Sequence, residues 1–359
     1  MSVENLVVSE DEDGMRLDRW FKRRHPELTL GHLNKIVRTG EVRLDGARAK
    51  TSTRVAPGQT VRVPPLRTSD FPAPEVRRAR PSDEDRRAIL NMMLFEDRDV
   101  MVLNKPYGLA VQGGSGTVQH IDGMLESLSD GVNNRPLLVH RLDRDTSGVL
   151  LVARSRKMAS ELGEVFRSRQ ARKHYWALVE GVPKPAQGRI SLFLAKGEGM
   201  GDVRAADRPR GERARSGDRA AMERMRVAKH GDPEAQHSVT LFATVDRVLP
   251  RLAWLSMKPI TGRTHQLRAH AEAIGHPIVG DPKYGVPPPG GAHHVDPSRA
   301  IPSGVERKLH LLARRLVLPH PRGGTLDVSA PLPPHMQASW DLFGFDVKQY
   351  DPIENAPED

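Results

Sequence analysis

The 359-residue sequence contains no cysteine. That absence excludes disulfides, cysteine-type zinc sites, iron–sulfur clusters and thiol nucleophiles, so any chemistry falls to Asp, Glu, His, Lys, Arg, Ser and Tyr. No apolar run approaches the roughly 18 residues a membrane span requires. Met1 to Gly14 is acidic where a secretory signal would be basic and then apolar. A cytoplasmic chain with no membrane partner is expected. No self-similarity at solenoid periods is visible. What is present is enough chain for about two domains. The hydrophobic fraction of 38% without glycine is ordinary for a globular protein, and the formal net charge is +10.

That charge is concentrated. Between Met15 and Arg67 stand 13 Lys or Arg against four acids, Asp18, Glu27, Glu41 and Asp45, which places +9 of the +10 there. A basic field of this density attracts polyanions, and each neutralised phosphate adds salt-sensitive affinity; a solvated basic face is the alternative reading. Leu17, Trp20 and Phe21 share one helical face. Thr29 can cap a second helix carrying Leu33, Ile36 and Val37. Glu41 to Leu44 then alternates, Asp45-Gly46 signals a two-residue hairpin, and Thr60 to Val63 alternates again. This order, with RLDRWF, GEVRLDG and PGQTVRVP, resembles the small alpha-L RNA-binding module of ribosomal protein S4 type, which implies an RNA-binding domain over residues 15–65.

Residues 66–89 lose the apolar periodicity and carry Pro72, Pro74 and Pro81, as a semi-rigid linker would. The catalytic domain is expected over 90–340, with an Arg-rich insertion at 197–226 that has eight Arg between Arg204 and Arg226 and reads as a loop awaiting an anionic partner. Residues 341–359 read as a frayed tail. Within 90–340, strands fit Val100 to Leu103, Val149 to Ala153, Tyr175 to Val179 and Leu252 to Met257. Helices fit Lys157 to Arg167 and Thr264 to Ile274. A mixed α+β domain follows.

Four segments are richer in chemistry than structure requires. Asn104-Lys105-Pro106-Tyr107-Gly108 follows a buried strand and sets Lys105 at the lip of a turn. His140-Arg141-Leu142-Asp143-Arg144-Asp145-Thr146-Ser147-Gly148 crowds ionisable and hydroxylic groups before an apolar strand; a salt-bridged loop and a catalytic loop are both open. Lys173 to Gly181 holds Tyr175, either core or pocket lining. Thr261 to His270 begins with a Gly turn and a Thr cap and sets His265 and Arg268 three apart on a helix. His265, His270 and His276 lack the acidic partners a metal site needs, so no metal is expected.

In this order, NKPYGLAVQGG, HRLDRDTSGVLLVA, KHYWALVEG and TGRTHQLRAHAEAIGHPIVGD resemble the RluA-type pseudouridine synthases, most closely the RluC branch that acts on large-subunit ribosomal RNA. The resemblance covers roughly residues 15 to 340. It implies a mixed, mainly antiparallel-sheet catalytic domain behind an S4-type domain, ribosomal RNA as partner, no cofactor, and a monomer. It also implies that Asp143 is the carboxylate acting on the nucleoside, Arg268 its cationic partner and Tyr175 the residue stacked on the target base. Arg141 would fill the vacated stack, with His140, Lys105, Arg263 and His265 as further substrate contacts. Asp145 and Asp281 are expected to be loop ties. The chemistry is consistent with these types: a carboxylate shielded from water stays ionised only beside an opposite charge, and a base inside a helix reaches it only when flipped out. Transfer RNA as substrate, or a non-catalytic assembly factor, are the alternatives. Two departures stand out: the longer insertion, and Ser238-Val239-Thr240-Leu241-Phe242 where the family usually has Ala-x-Thr-x-Tyr.

Overall fold

The computed structural model describes residues 3–26, 28–66, 82–113, 119–129, 135–197, 224–232, 234–285, 301–353 and 356. The chain divides into two compact units, Met1–Arg78 and Ala79–Asp359.

In the first unit, helices α1 (Leu17–Arg24) and α2 (Leu30–Thr39) pack on a four-stranded sheet. Its strands are β1 (Glu4–Val7), β2 (Arg43–Leu44), β3 (Ala47–Arg48) and β4 (Thr60–Val63), in the order β1-β4-β2-β3. The Thr29 hydroxyl accepts from the His32 amide, as the capping argument anticipates. The Asp45-Gly46 turn has positive φ at both residues, 49° and 78°, the type I′ geometry that matches strand twist. Leu17, Trp20 and Phe21 are fully buried. Buried Glu12 accepts from Trp20 Nε1 at 3.0 Å and from Arg24 at 2.8 Å. The Arg24 hydrogen bond is the main reason its carboxyl is held at about 2.

The second unit is built on one eleven-stranded sheet. Its strands are β5 (Met93–Glu96), β6 (Val100–Lys105), β7 (Leu137–Leu138), β8 (Ser147–Ala153), β9 (Arg172–Glu180) and β10 (Gln187–Lys196). They continue with β11 (Met225–Ala228), β12 (Gln236–Val248), β13 (Leu252–Pro259), β14 (Leu311–Pro319) and β15 (Thr325–Ser329). The main order is β11-β10-β12-β13-β9-β14-β8-β6-β5, with β15 on β14 and β7 on β8. Among the described residues every pairing is antiparallel except β8 with β14, where Leu312 lies beside Ser147 and Ala313 beside Gly148. Gly148 has φ 109°, and a Cβ there would lie 2.2 Å from the Ala313 carbonyl oxygen, so only glycine lets the two strands meet at this point. The helices are α3 (Asp83–Asn91), α4 (Ile121–Met124), α5 (Arg156–Arg167), α6 (Gln266–Ala273) and α7 (Pro334–Phe343). This is the mixed, mainly antiparallel α+β class anticipated.

Alternation along β9 divides the core. Trp176 and Leu178 join a layer with Trp254, Trp340 and Phe345, where the Trp176 and Trp254 rings meet edge-on at 4.6 Å. Tyr175, Ala177 and Val179 face the other way, onto Leu267 and Ala271 of α6. The strand therefore presents Tyr175 to one side of the sheet while its neighbour anchors the other.

Three expectations about the chain's organisation need correction. Residues 83–89 of the expected linker are helical in α3, whose amino end is capped by Ser82; residues 67–81 lie outside the described residues. The insertion ends early, because Met225 and Arg226 already belong to β11, while residues 198–223 lie outside the described residues. The tail is not frayed through Ile353. Asp351 accepts hydrogen bonds from Trp176 Nε1 at 3.1 Å and Ser256 Oγ at 2.6 Å. Phe345 and Ile353 are buried. One buried carboxylate reaching two strands outweighs the tail's lack of periodicity.

Candidate active site

The loop from 139 to 146 is held from behind by Lys105. This side chain is fully buried, and its ammonium donates to the carbonyls of Pro106 at 3.0 Å, Leu109 at 2.8 Å and Arg144 at 2.7 Å. Gly108 N–H donates to the Arg144 carbonyl and Arg144 Nε returns a bond to the Gly108 carbonyl. Two loops are thereby stapled, with Asp143 at the crest and the Thr146 amide closing a turn onto the Asp143 carbonyl at 3.2 Å. Burial pushes Lys105 down to about 7, with Asp145 and Asp143 pulling it back up. The expectation of Lys105 as a substrate contact is corrected: its three hydrogen-bonding positions are taken by carbonyls, so it shapes the loop.

His140 is corrected for a similar reason. Its Nε2 accepts from the Leu151 amide at 2.9 Å, and its ring stacks on Phe166 at 4.8 Å. Burial, joined by the charge of Lys173, pushes its pKa down to about 3. It is a neutral prop under the loop. Arg141, next in sequence, is exposed and has no side-chain partner among the described residues.

The opposite wall is the amino end of α6. The Gln266 amide accepts from Thr261 Oγ1 at 2.7 Å and Arg263 N at 3.0 Å, and donates to Val239 O and Thr240 Oγ1, both at 2.9 Å. With every position filled it fixes where the helix begins. The helix starts at Gln266 and not at a Thr cap, because His265 stands before it in a left-handed conformation, φ 50° and ψ 21°. That conformation turns the imidazole inward, with Nε2 3.8 Å from Asp143 Oδ2.

Arg268 reaches the same oxygen with Nη1 at 3.3 Å. Its other two nitrogens grip Asp281 in parallel, Nε at 2.8 Å and Nη2 at 2.7 Å. Burial works against the guanidinium charge, but the hydrogen bonds and charge of Asp281, then Asp143, outweigh it and drive the pKa above its ordinary value. Asp281 also accepts from the amides of Lys283 and Tyr284, the loop tie foreseen for it. Its grip on Arg268 was not foreseen.

Tyr175 completes the group from β9. Burial, then the nearby Asp143 carboxylate, raises its pKa, so the phenol stays protonated at neutral pH. Arg263 is exposed and donates from Nε to the His237 carbonyl at 3.2 Å. Tyr284, which no sequence signal singled out, packs its ring against Arg268, with Cζ 5.2 Å from the centroid. The structure thus gathers Asp143, Arg268, His265 and Tyr175, and adds Asp281 and Tyr284.

The three histidines weighed as metal ligands diverge. His270 bonds Ser238 Oγ at 2.8 Å, and His276 approaches the Glu180 carbonyl at 2.8 Å. Among the described residues no three His, Asp or Glu side chains form a metal-binding group. The departure at 238–242 is structural: Ser238 also donates to the Leu192 carbonyl, and Phe242 sits in the α6 core. No helix among the described residues is long and apolar enough to cross a membrane.

This arrangement is one ionisable carboxylate with a partly open edge, 28% exposed, backed by a guanidinium that is 3% exposed. It can stabilise or form a bond at an electron-poor carbon while the flanking phenol covers a planar ring. Comparison with known proteins places the chain in a family. Residues 99–273 match the family profile described as RNA pseudouridylate synthase. The chain is 35% identical over 338 residues to a ribosomal large subunit pseudouridine synthase C of Pasteurella multocida, covering 94% of this chain and 92% of that one. It is 31% identical to RNA pseudouridine synthase 4, mitochondrial, of Arabidopsis thaliana, covering 97% and 83%. Among solved structures, human RNA pseudouridylate synthase domain containing 4 superposes with a TM-score of 0.52 at 28% identity, covering 71% of this chain and 94% of that one. The chain belongs to the RNA pseudouridylate synthase family and is an RNA pseudouridine synthase.

Proposed function

We propose that this enzyme converts uridine to pseudouridine in large-subunit (23S) ribosomal RNA, and that Asp143 is the carboxylate that starts the rearrangement. The single observation carrying the residue assignment is the 3.3 Å contact between Arg268 Nη1 and Asp143 Oδ2, in a carboxylate that keeps one edge open. An ionised carboxylate in a partly dry site needs a fixed cation. Arg268 supplies it without needing to move, because Asp281 already holds it.

The bond between C1′ and N1 breaks, the uracil turns, C5 bonds to C1′, the C5 proton leaves and N1 takes up a proton; where a C2′ proton has been removed it is returned as the new bond forms. Atoms balance without oxidation or net hydrolysis. Asp143 begins this either by adding to C1′ or by taking the proton from C2′. A target inside a helix has to be flipped out first, at a cost of a few kcal/mol. Tyr175, near Asp143, stacks on the extruded base in this reading, an interaction of roughly 1–3 kcal/mol. Arg141, whose exposure supports this reading, occupies the gap left in the RNA stack. Water is kept from the detached sugar until the new bond closes. The first unit, whose helix, helix and hairpin order and the +9 charge of its residues 15–67 suit a phosphate backbone, serves as an S4-type RNA-binding domain.

The relatives named as ribosomal large subunit pseudouridine synthase C favour ribosomal over transfer RNA. The test uses RNA tritiated at C5 of uridine. Release from large-subunit ribosomal RNA and not from transfer RNA is expected, at a few discrete positions on mapping. Release from transfer RNA alone would overturn the substrate assignment.

A further inference from the structure

Tyr284 lies outside the helices and strands that carry the site, yet it touches three of its parts. The side chain is 2% exposed. Two guanidinia flank its ring, Arg268 with Cζ at 5.2 Å and Arg224 at 5.1 Å from the centroid. Arg224 is in turn paired with Glu272 of α6, and its carbonyl accepts from Gly197 N–H at 2.7 Å. Gly197 and Arg224 are the two described residues bracketing the Arg-rich insertion, so the root of that insertion is clasped onto the site.

The hydroxyl carries the chemistry. It accepts from the Met225 amide at 2.8 Å and lies 3.1 Å from Nδ1 of His265. An amide N–H can only donate, so the phenol spends a lone pair there and has its single proton left to give. Among the described residues its remaining partner is His265 Nδ1. An Nδ1 that accepts leaves the neutral ring with its proton on Nε2. Nε2 is the atom 3.8 Å from Asp143 Oδ2. Burial, only partly offset by Asp143, keeps the His265 pKa below its ordinary value, so the imidazole enters the site neutral. The left-handed backbone at His265 is a conformation that persists in a non-glycine residue when its surroundings over-determine it.

We infer that Tyr284 is a positioning residue for the isomerisation: its hydroxyl fixes the Nε2–H tautomer of His265, which aims one neutral N–H at Asp143, and the insertion root fixes Tyr284 through the Met225 amide. The inference rests on the reading of Asp143 given above. The order of donors is Met225 N–H to Tyr284 O, Tyr284 O–H to His265 Nδ1, and His265 Nε2–H toward Asp143. At 3.8 Å the last gap exceeds a hydrogen bond, leaving the N–H available to Asp143 after a small shift or to a nucleoside oxygen beside it.

Tyr284→Phe in the full chain keeps the ring between the two guanidinia and removes only the hydroxyl. At saturating RNA its single-turnover rate is expected to fall about tenfold with RNA affinity unchanged, while the melting temperature drops by a few degrees because the Met225 amide loses its acceptor. His265→Asn, which suits the left-handed backbone, is expected to fall at least as far. The double variant is expected to match His265→Asn, because the phenol acts through the imidazole. Nitrogen-15 shifts of the histidine rings, with the His265 signals assigned by their loss in His265→Asn, should report the Nε2–H tautomer in the parent and a mixture in Tyr284→Phe. A Tyr284→Phe enzyme at the parent rate, additive losses in the double variant, or an Nδ1–H tautomer in the parent would each overturn the inference. Asp143→Asn, run alongside, separates the two readings. If it is active, the Asp143 reading fails and takes this one with it. If it is inactive while Tyr284→Phe is unimpaired, this inference fails alone.

Discussion

Asp281 holds Arg268 by two parallel hydrogen bonds of 2.8 and 2.7 Å, shorter than the 3.3 Å contact the same guanidinium makes to Asp143. The tighter partner is the one with no open edge, since the Asp281 side chain is 0% exposed and that of Asp143 28%. Arg268 is therefore anchored to the buried carboxylate and offers its remaining nitrogen to the partly open one, Asp143. A planar fork with fixed donors can serve two carboxylates in this way; a lysine could not.

Breaking that anchor leaves a buried charge without its main counter-ion. Asp281→Asn is expected to lower stability by about 3–5 kcal/mol and to slow the reaction further than the stability loss explains, since Arg268 is then free to turn from Asp143. Urea unfolding and single-turnover rates, measured where the variant is still folded, check both parts. An Asp281→Asn protein as stable and as fast as the parent would contradict the anchoring role.

Three imidazoles with strongly lowered pKa values make stability depend on pH. Burial holds His140 at about 3 and both His270 and His310 at about 4. In the unfolded chain they bind a proton below about 6.5. Between those values the unfolded state binds more protons, so their contribution is complete above about pH 6.5 and declines as the pH falls toward about 4. His140→Gln, whose amide oxygen can still accept from Leu151 N–H, is expected to flatten the fall in melting temperature over that window. An identical slope in parent and variant would remove His140 from the account.

The carboxyl-terminal segment is expected to be part of the fold. Ending the chain at Phe345 removes Asp351 and strips Trp176 Nε1 and Ser256 Oγ of their shared acceptor. A loss of about 2 kcal/mol follows, or about 4–8 °C in melting temperature for a unit of this size. Calorimetry on the truncated chain checks it, and an unchanged melting temperature would return the segment to a loose tail.

The basic unit is expected to act through charge. Its described residues form a hydrophobic core of their own between Leu6 and Leu66, so deleting residues 1–64 should leave the second unit folded. RNA affinity should fall, and the slope of log affinity against log salt should flatten by about 2–4, at roughly 0.7–0.9 for each phosphate no longer neutralised. Binding isotherms at several salt concentrations decide this, and an unchanged slope would mean that the charge serves solubility.

How much of this was legible in the sequence depended on the range of the interaction involved. Local rules carried Thr29 as a cap, Asp45-Gly46 as a turn and Arg156–Arg167 as a helix within one residue, because each is decided by neighbours a few positions away. Asp143, Arg268 and Tyr175 came from motif resemblance, and the fold brings their segments together across 125 residues between Asp143 and Arg268. What failed was burial. Lys105 and His140 stand in polar segments that read as exposed, but one is drawn inward by three carbonyls and the other by a strand amide and a phenyl ring. Tyr284 and Asp351 had no periodicity or motif to mark them. Their roles exist only after β11 and the tail have docked, so nothing within a local window could have announced them.

The central claim is that the Asp143 carboxylate performs the isomerisation, and Asp143→Asn tests it most directly. The amide keeps the size and the approach to Arg268 but has no charge and no basic oxygen. With ribosomal RNA tritiated at C5 and enzyme in excess, tritium release should fall by more than about a thousandfold, while the affinity for that RNA stays within about threefold of the parent. Release at the parent rate from the Asp143→Asn protein would contradict the account.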